Sequence, residues 1–157
     1  MWSDGAAFRV FFSHDSKRCQ LKAATELDPW VREFDTVAQA IEFAEALLPG
    51  KSERGIDPRW QAIVQIGHFI SSDPEDIWSF IAKWGGHEDD DLRDAIACVL
   101  LEHLLELQFE LIFPRVRAAA DCDKMFADMF CRCWKFGQSE TPENTVQFDA
   151  LQNHYRI

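Results

Sequence analysis

Residues 91–107 read DLRDAIACVLLEHLLEL, and this stretch decides the fold class. Apolar side chains recur along it at intervals of three and four residues, as at Leu92, Ile96, Leu100, Leu104 and Leu107. This interval is typical of an amphipathic α-helix, whereas a half-buried strand alternates at every second residue. The stretch therefore predicts a long helix with one face in the core.

The same period continues toward the N-terminus, where two more helices begin with one shared signal. The signal is an aspartate followed by proline, at Asp57-Pro58 and again at Asp73-Pro74. An aspartate can cap free amides, and proline suits the first helical position. These signals predict helices over 58–70 and 74–84, with Gly85-Gly86 ending the second.

Toward the C-terminus, the pattern predicts helices over 109–119, 124–135 and 142–154, the last beginning at Thr141-Pro142. Pro114 predicts a kink or break in the apolar stretch 109–116. Short links favour antiparallel neighbours. We therefore expect stacked hairpins that pair 58–70 with 74–84, 91–107 with 109–119, and 124–135 with 142–154.

Residues 1–50 follow a different pattern. The segments 7–12, 19–23 and 30–34 are β-branched or alternate in polarity, and they predict two or three short strands. A helix over 36–48 follows, with Thr36 and Gln39 spaced as a capping box. The predicted fold is thus mostly α, with a small ββ(β)α unit in 1–50 and a helical stack in 57–157.

Residues 91–100 resemble the second helix of a HEAT repeat. The likeness lies in an acidic residue, an arginine (Arg93) beside the first apolar position, and a stripe of small residues in DLRDAIACVL. It covers these ten residues well and the helical pattern of 57–154 loosely. The resemblance implies a HEAT-like stack of helices that serves interaction and carries no chemistry of its own.

Charge and composition exclude several classes of function. The 157 residues carry a formal net charge of −11, which disfavours nucleic acid and anionic membranes as partners and favours a basic protein. No apolar run approaches the roughly 18 residues of a membrane span. Five cysteines without a secretion signal predict a reducing compartment, and hence a cytoplasmic protein.

The negative charge is concentrated in residues 57–110, which hold three Lys or Arg and twelve Asp or Glu. Carboxylates that cap helices account for about half of these acids. The remainder fits either a docking surface for a basic partner or plain solubility, and both readings stay open. The candidate partner-binding residues are Glu75, Asp76, Trp78, Trp84, Glu88, Asp89, Asp90, Asp91 and Asp94.

Tryptophan supplies possible anchors for such a surface. Trp60, Trp78, Trp84 and Trp134 fall on predicted helical stripes, so we expect them in the core. Trp78 and Trp84 are six residues apart and cannot share a narrow stripe, which predicts that one reaches the surface. An exposed tryptophan beside carboxylates is a common combination in binding hot spots.

A metal site is the alternative reading of one acidic stretch. Glu102, His103 and Glu106 lie close along one helix, and His68 or His87 could add a ligand. His103 also fits a core histidine. Cys131 and Cys133 would face opposite sides of a helix, which disfavours a shared metal. No phosphate loop, nucleophile elbow or Cys–His signature is present, so we predict no catalytic residue, metal or cofactor.

These observations predict a non-enzymatic protein-binding module with an acidic surface, such as an immunity protein or antitoxin that blocks a basic toxin. One alternative is a metal-dependent enzyme that uses Glu102, His103 and Glu106. Another is a self-associating structural protein whose N-terminal strands pair edge to edge. The sequence leaves the oligomeric state open.

Overall fold

All regular elements in the described part of the chain are helices. The computed structural model describes residues 32–51, 54–55 and 57–156, and the mostly α class is confirmed there. The predicted strands 7–12 and 19–23 lie outside these residues. Of the third predicted strand, residues 32–34 are described, and they form irregular chain instead of a strand.

From Val37 to Tyr155, the described residues form seven α-helices, with one π-helical and one 3-10 segment. They are α1 (Val37–Leu47), α2 (Pro58–Gly67), α3 (Pro74–Trp84), α4 (Asp90–Ala95), the π-helical segment (Ile96–Leu101), α5 (Glu102–Cys122), α6 (Lys124–Cys131), the 3-10 helix (Gly137–Glu140) and α7 (Pro142–Tyr155). Among the described residues, no helix is both long enough and apolar enough to cross a bilayer.

Side-chain caps begin most of these helices, as the sequence predicts. Thr36 accepts a hydrogen bond from the Gln39 amide at 3.3 Å, while the Gln39 side chain accepts one from the Thr36 amide, which completes the capping box of α1. Asp57 accepts from the Arg59 amide at 2.9 Å, and Thr141 caps α7. Asp73 makes no such bond with an amide of α3.

Pro114 does not kink the helix, contrary to the sequence prediction. The non-helical residue of α5 is Gln108, with φ −138° and ψ 41°, and the backbone is helical at Pro114. Both Pro114 and Glu110 are exposed, so water can reach the carbonyl that the proline leaves without a donor. The break at Gln108 separates the predicted helices 91–107 and 109–119, so this boundary is confirmed.

A side chain from the 3-10 helix bridges this break. The Gln138 amide donates to the Leu107 carbonyl at 2.8 Å and accepts from the Phe109 N–H at 2.9 Å. Its two groups thus satisfy the backbone polar atoms on either side of Gln108, as a neighbouring peptide would.

The core gathers around the π-helical segment. Ile96, Leu100 and Leu101 are fully buried there, and α2, α3 and α6 all pack against the segment. The main neighbours of α2 are α1 and this segment, and those of α3 are α5 and this segment. The arrangement of the helices as stacked antiparallel hairpins therefore stays a prediction.

Candidate functional site

A buried arginine organises the acidic region. Arg59 is only 3% exposed, and its Nη1 donates to Asp89 Oδ2 at 2.9 Å and to the Gly50 carbonyl at 3.0 Å. Its guanidinium also lies 3.7 Å from the Asp91 carboxylate and 3.6 Å from that of Asp57. The Arg59 guanidinium thus contacts three carboxylates, one at the start of α2 and two at the start of α4.

Two further arginines bind the outer carboxylates of α4. Arg93 Nε donates to Asp128 Oδ2 at 2.9 Å, and its Nη2 contacts Asp90. Arg132 donates to Asp94 at 2.6 Å, to Asp90 at 2.8 Å and to Asp128 at 2.9 Å. We call the nine residues the carboxylate–arginine cluster: Asp57, Arg59, Asp89, Asp90, Asp91, Arg93, Asp94, Asp128 and Arg132.

Four of the predicted partner-binding residues therefore have partners within the chain. The cluster contains six carboxylates and three guanidinium groups, which leaves a local excess of three negative charges. Burial raises the pKa of Asp89, but hydrogen bonds from Arg59 and from the Asp91 amide outweigh it and lower this pKa below its ordinary value. The contacts with Arg59 and with the amides of α4 thus favour the ionised form of Asp89.

The other predicted carboxylates differ in their partners. Glu75 binds Arg115 through two hydrogen bonds of 2.7 and 3.0 Å, which lower the pKa of Glu75. Asp76 and Glu88 are exposed and form no ion pair with the described residues. Among the predicted carboxylates, these two could therefore meet a partner without breaking an ion pair of the described residues.

A groove lies where α3 ends and α6 begins. Its volume is about 450 Å³, and its lining residues are Ala82, Lys83, Trp84, Gly86, His87, Glu88 and Asp123. It contains two of the predicted partner-binding residues, Trp84 and Glu88. Trp84 is half-buried, and its Nε1 donates to Glu45 Oε1 on α1 at 3.0 Å. The groove therefore combines a fixed aromatic wall with an acidic rim.

Trp78, the other predicted anchor, lies nearby on α3. It is half-buried and contacts the Phe126 ring edge-on, with the ring centroids 6.2 Å apart. Trp134 contradicts the sequence prediction, because it is 61% exposed. The reason is that α6 ends at Cys131, so Trp134 does not continue the helical stripe. Trp60 is buried as predicted and donates to Asp91 at 3.3 Å.

The side chains of the alternative metal site contact other groups of the protein. His103 Nδ1 lies 2.8 Å from Glu106 Oε2, and the His103 ring stacks on Phe136 with centroids 5.7 Å apart. Glu102 is buried and accepts a hydrogen bond from the Trp134 amide at 2.8 Å. Across the described ranges, no group of three or more His, Cys, Asp or Glu side chains is placed to hold a metal ion.

Cys131 and Cys133 do not share a common site. Cys131 Sγ lies 3.8 Å from the Gln152 carbonyl, and Cys133 Sγ lies 3.9 Å from that of Ala97. The two thiols therefore contact different elements, although Cys133 follows the end of α6 and does not share its helix. Burial raises the pKa of Cys131 and raises that of Cys133 well above its ordinary value.

Comparison with known proteins assigns no family. No family model matches the sequence, and no significant match was found among curated proteins or solved structures. The HEAT-like resemblance of residues 91–100 therefore stays a prediction, and function has to be argued from the geometry of this chain.

Sequence reasoning missed most partners in the site. It did not assign roles to Arg59, Arg132, Asp128 or Glu45. Arg59 and Asp89 are 30 positions apart, and Arg132 and Asp94 are 38 apart. Two pairs in the cluster carried a local signal for an ion pair: Arg132 with Asp128 at the helical spacing of four, and Arg93 with Asp90 at the spacing of three.

Proposed function

We propose that this chain is a non-enzymatic protein-binding module that docks a basic protein against an acidic face. The acidic face consists of the exposed carboxylates Asp76, Glu88 and Asp90 and the groove beside Trp84. An immunity protein or antitoxin that blocks a basic toxin is one biological form of such a module. The observation that carries this proposal is that Asp76 and Glu88 are exposed and form no ion pair with the described residues.

The carboxylate–arginine cluster supports this proposal through its rigidity. Its ion pairs join α2, α4 and α6, so the carboxylates of α4 are held at fixed positions instead of moving freely in solvent. Preorganised charge of one sign steers a partner of opposite sign and raises the association rate. An acidic face of this kind suits fast capture of a basic protein.

Trp78 and Trp84 supply binding affinity, which the exposed charges contribute only weakly. Exposed ion pairs contribute little affinity, whereas partly buried aromatic side chains are frequent anchors in interfaces. Both tryptophans are half-buried on α3, between Asp76 at its start and Glu88 beyond its end. We therefore assign steering to the carboxylates and most of the affinity to the aromatic side chains.

The test is capture of a partner from the native host by the tagged chain, with the eluate identified by mass spectrometry. The variant Asp76→Lys/Glu88→Lys reverses two exposed charges that make no internal ion pair. The matched control is Glu140→Lys/Glu143→Lys, since both residues are exposed. Glu143 also matches Asp76 in its position, because each lies in the first turn of a helix that begins with proline.

We expect one basic protein at a stoichiometric amount, released as salt rises. Its association rate should fall roughly tenfold or more with Asp76→Lys/Glu88→Lys and stay unchanged with the control. A partner bound equally by both variants, or one insensitive to salt, would contradict the proposal. Reversing Asp89, Asp90 and Asp91 is a poorer test, because Asp89 caps α4 and all three contact arginines.

A further inference from the structure

We propose that the groove between the end of α3 and the start of α6 receives an arginine side chain of the basic partner. This inference rests on the proposed function and specifies the chemistry of its anchor. Three features of the groove support it: its shape, its carboxylates and the hydrogen bond that holds Trp84.

The Trp84 ring forms a wall that cannot readily turn away. Glu45 on α1 accepts hydrogen bonds from Trp84 Nε1 at 3.0 Å and from Lys83 Nζ at 2.7 Å. These two bonds lower the pKa of Glu45, so this carboxylate stays ionised at neutral pH. Trp84 lines the groove with its polar edge satisfied in this way, and Lys83 Nζ lies 5.4 Å from the centroid of its ring.

Two carboxylates in the groove form no ion pair with another described residue. Glu88 is exposed and forms no ion pair with the described residues. Asp123 uses Oδ1 to cap α6, accepting from the Met125 amide at 2.8 Å. Lys83 also lines the groove, but Glu45 already answers its charge. The groove therefore has two negative charges that an incoming cation could neutralise.

Gly86 allows one of these carboxylates to approach the backbone. A Cβ at this position would lie only 2.0 Å from Asp123 Oδ2. Glycine therefore lets Oδ2 lie directly against the turn that follows α3. This places the second oxygen of Asp123 in the wall of the groove while the first one holds the amides of α6.

Arginine fits this combination better than lysine does. A guanidinium group is planar, stacks on aromatic faces and donates several hydrogen bonds in a fixed fork. An ammonium group is compact and strongly hydrated, and it gains less from an aromatic wall. Acidic or phosphorylated side chains would be repelled by Glu88 and Asp123.

The test is an NMR titration of the whole chain with N-acetyl-arginine amide, followed through amide and indole N–H signals. The equivalent lysine and citrulline amides serve as comparison probes, because citrulline has the shape of arginine without its charge. We expect saturable shifts at the Trp84 indole and at Gly86 and His87. Glu88→Gln should raise the dissociation constant about threefold or more, whereas the exposed control Glu110→Gln should leave it unchanged.

Absence of these shifts, equal binding of lysine or citrulline, or an unchanged affinity in Glu88→Gln would each overturn the inference. None of these results depends on finding the partner. A partner captured through Asp76 and Glu88 without arginine binding would leave the proposed function standing and remove the arginine site. Arginine binding without any captured partner would support the arginine site and remove the support for the proposed function.

Discussion

Arg59 Nη1 lies 2.9 Å from Asp89 Oδ2 and ties the first turn of α2 to the residue that caps α4. Asp89 thus has two roles, since its Oδ1 accepts from the Asp91 amide at 2.9 Å while Oδ2 binds the buried guanidinium. The position of the acidic helix therefore depends on a cation from another part of the chain.

The substitution Arg59→Met should destabilise the fold strongly. It would leave Asp57, Asp89 and Asp91 close together without their cation, and removing one partner of a buried ion pair costs about 3–5 kcal/mol. The measurement is the free energy of unfolding in urea. Lys83→Met is the control, because the Lys83 side chain is 61% exposed and such a pair contributes about 1 kcal/mol or less. A similar small loss in both variants would contradict this account of the cluster.

Stability should fall in acid partly through Asp89. The pKa of Asp89 is lower in the folded chain than its ordinary value of 3.8. Ionised Asp89 therefore stabilises the fold above about pH 3.8, and this contribution is lost as pH falls through the lowered pKa. Asp89→Asn keeps a side chain that can cap α4 but removes the charge.

The free energy of unfolding of Asp89→Asn should be well below that of the wild type at pH 6, and the gap should narrow below pH 3.8. Urea denaturation at several pH values measures this difference. A gap that stays constant between pH 6 and pH 2.5 would show that the Asp89 charge does not stabilise the fold.

Gln138→Ala should weaken the contact between the 3-10 helix and the break in α5. The Phe109 residue is 1% exposed, and its amide loses its acceptor in this variant. An unsatisfied buried donor costs about 1–3 kcal/mol. Gln147→Ala is the matched control, since Gln147 is exposed on α7. Equal stability of the two variants in thermal or urea unfolding would argue against the bridging role.

The two tryptophans Trp60 and Trp134 should respond very differently to substitution. Trp60→Ala removes a side chain that is 3% exposed and should cost about 3–5 kcal/mol. Trp134→Ala removes one that is 61% exposed and should change the free energy of unfolding by about 0.5 kcal/mol or less. A large loss on Trp134→Ala would mean that its ring contributes to packing despite its exposure.

The helix start signals were the most predictable part of the fold. Thr36, Asp57 and Thr141 each cap the helix that the sequence assigns to them, because capping depends on residues only two or three positions apart. The end of a helix was less predictable. Phe126, Met129 and Phe130 are buried, but α6 stops at Cys131, before the stripe would reach Trp134.

The predicted bounds of helices 91–107 and 109–119 placed the break at Gln108 correctly. The side chain that bridges the break had no local signal, because Gln138 lies 29 positions beyond Phe109. Proline was the visible cue for a kink, yet at an exposed position the helix accommodates Pro114. A tertiary contact from Gln138 thus accompanies the break at Gln108, whereas the backbone angles at Pro114 are helical.

The acidic site was predictable in composition and not in pairing. Counting charges located the excess within residues 57–110, and that count suggested carboxylates in need of a cation. The cations that answer them include Arg115 and Arg132, which lie outside that segment. A charge count along the chain therefore overstated how much of the acidic surface is open to a partner.

The carboxylate–arginine cluster also bears on the order of folding. Its contacts between different helices join residues 30–42 positions apart, so they require α2, α4 and α6 to be already close together. Closing such loops costs chain entropy before the contacts that they bring together can contribute any stability. We expect the guanidinium groups to lock into place after the rate-limiting step. Loss of one would then accelerate unfolding far more than it slows refolding, and the cluster would act as a brake on opening.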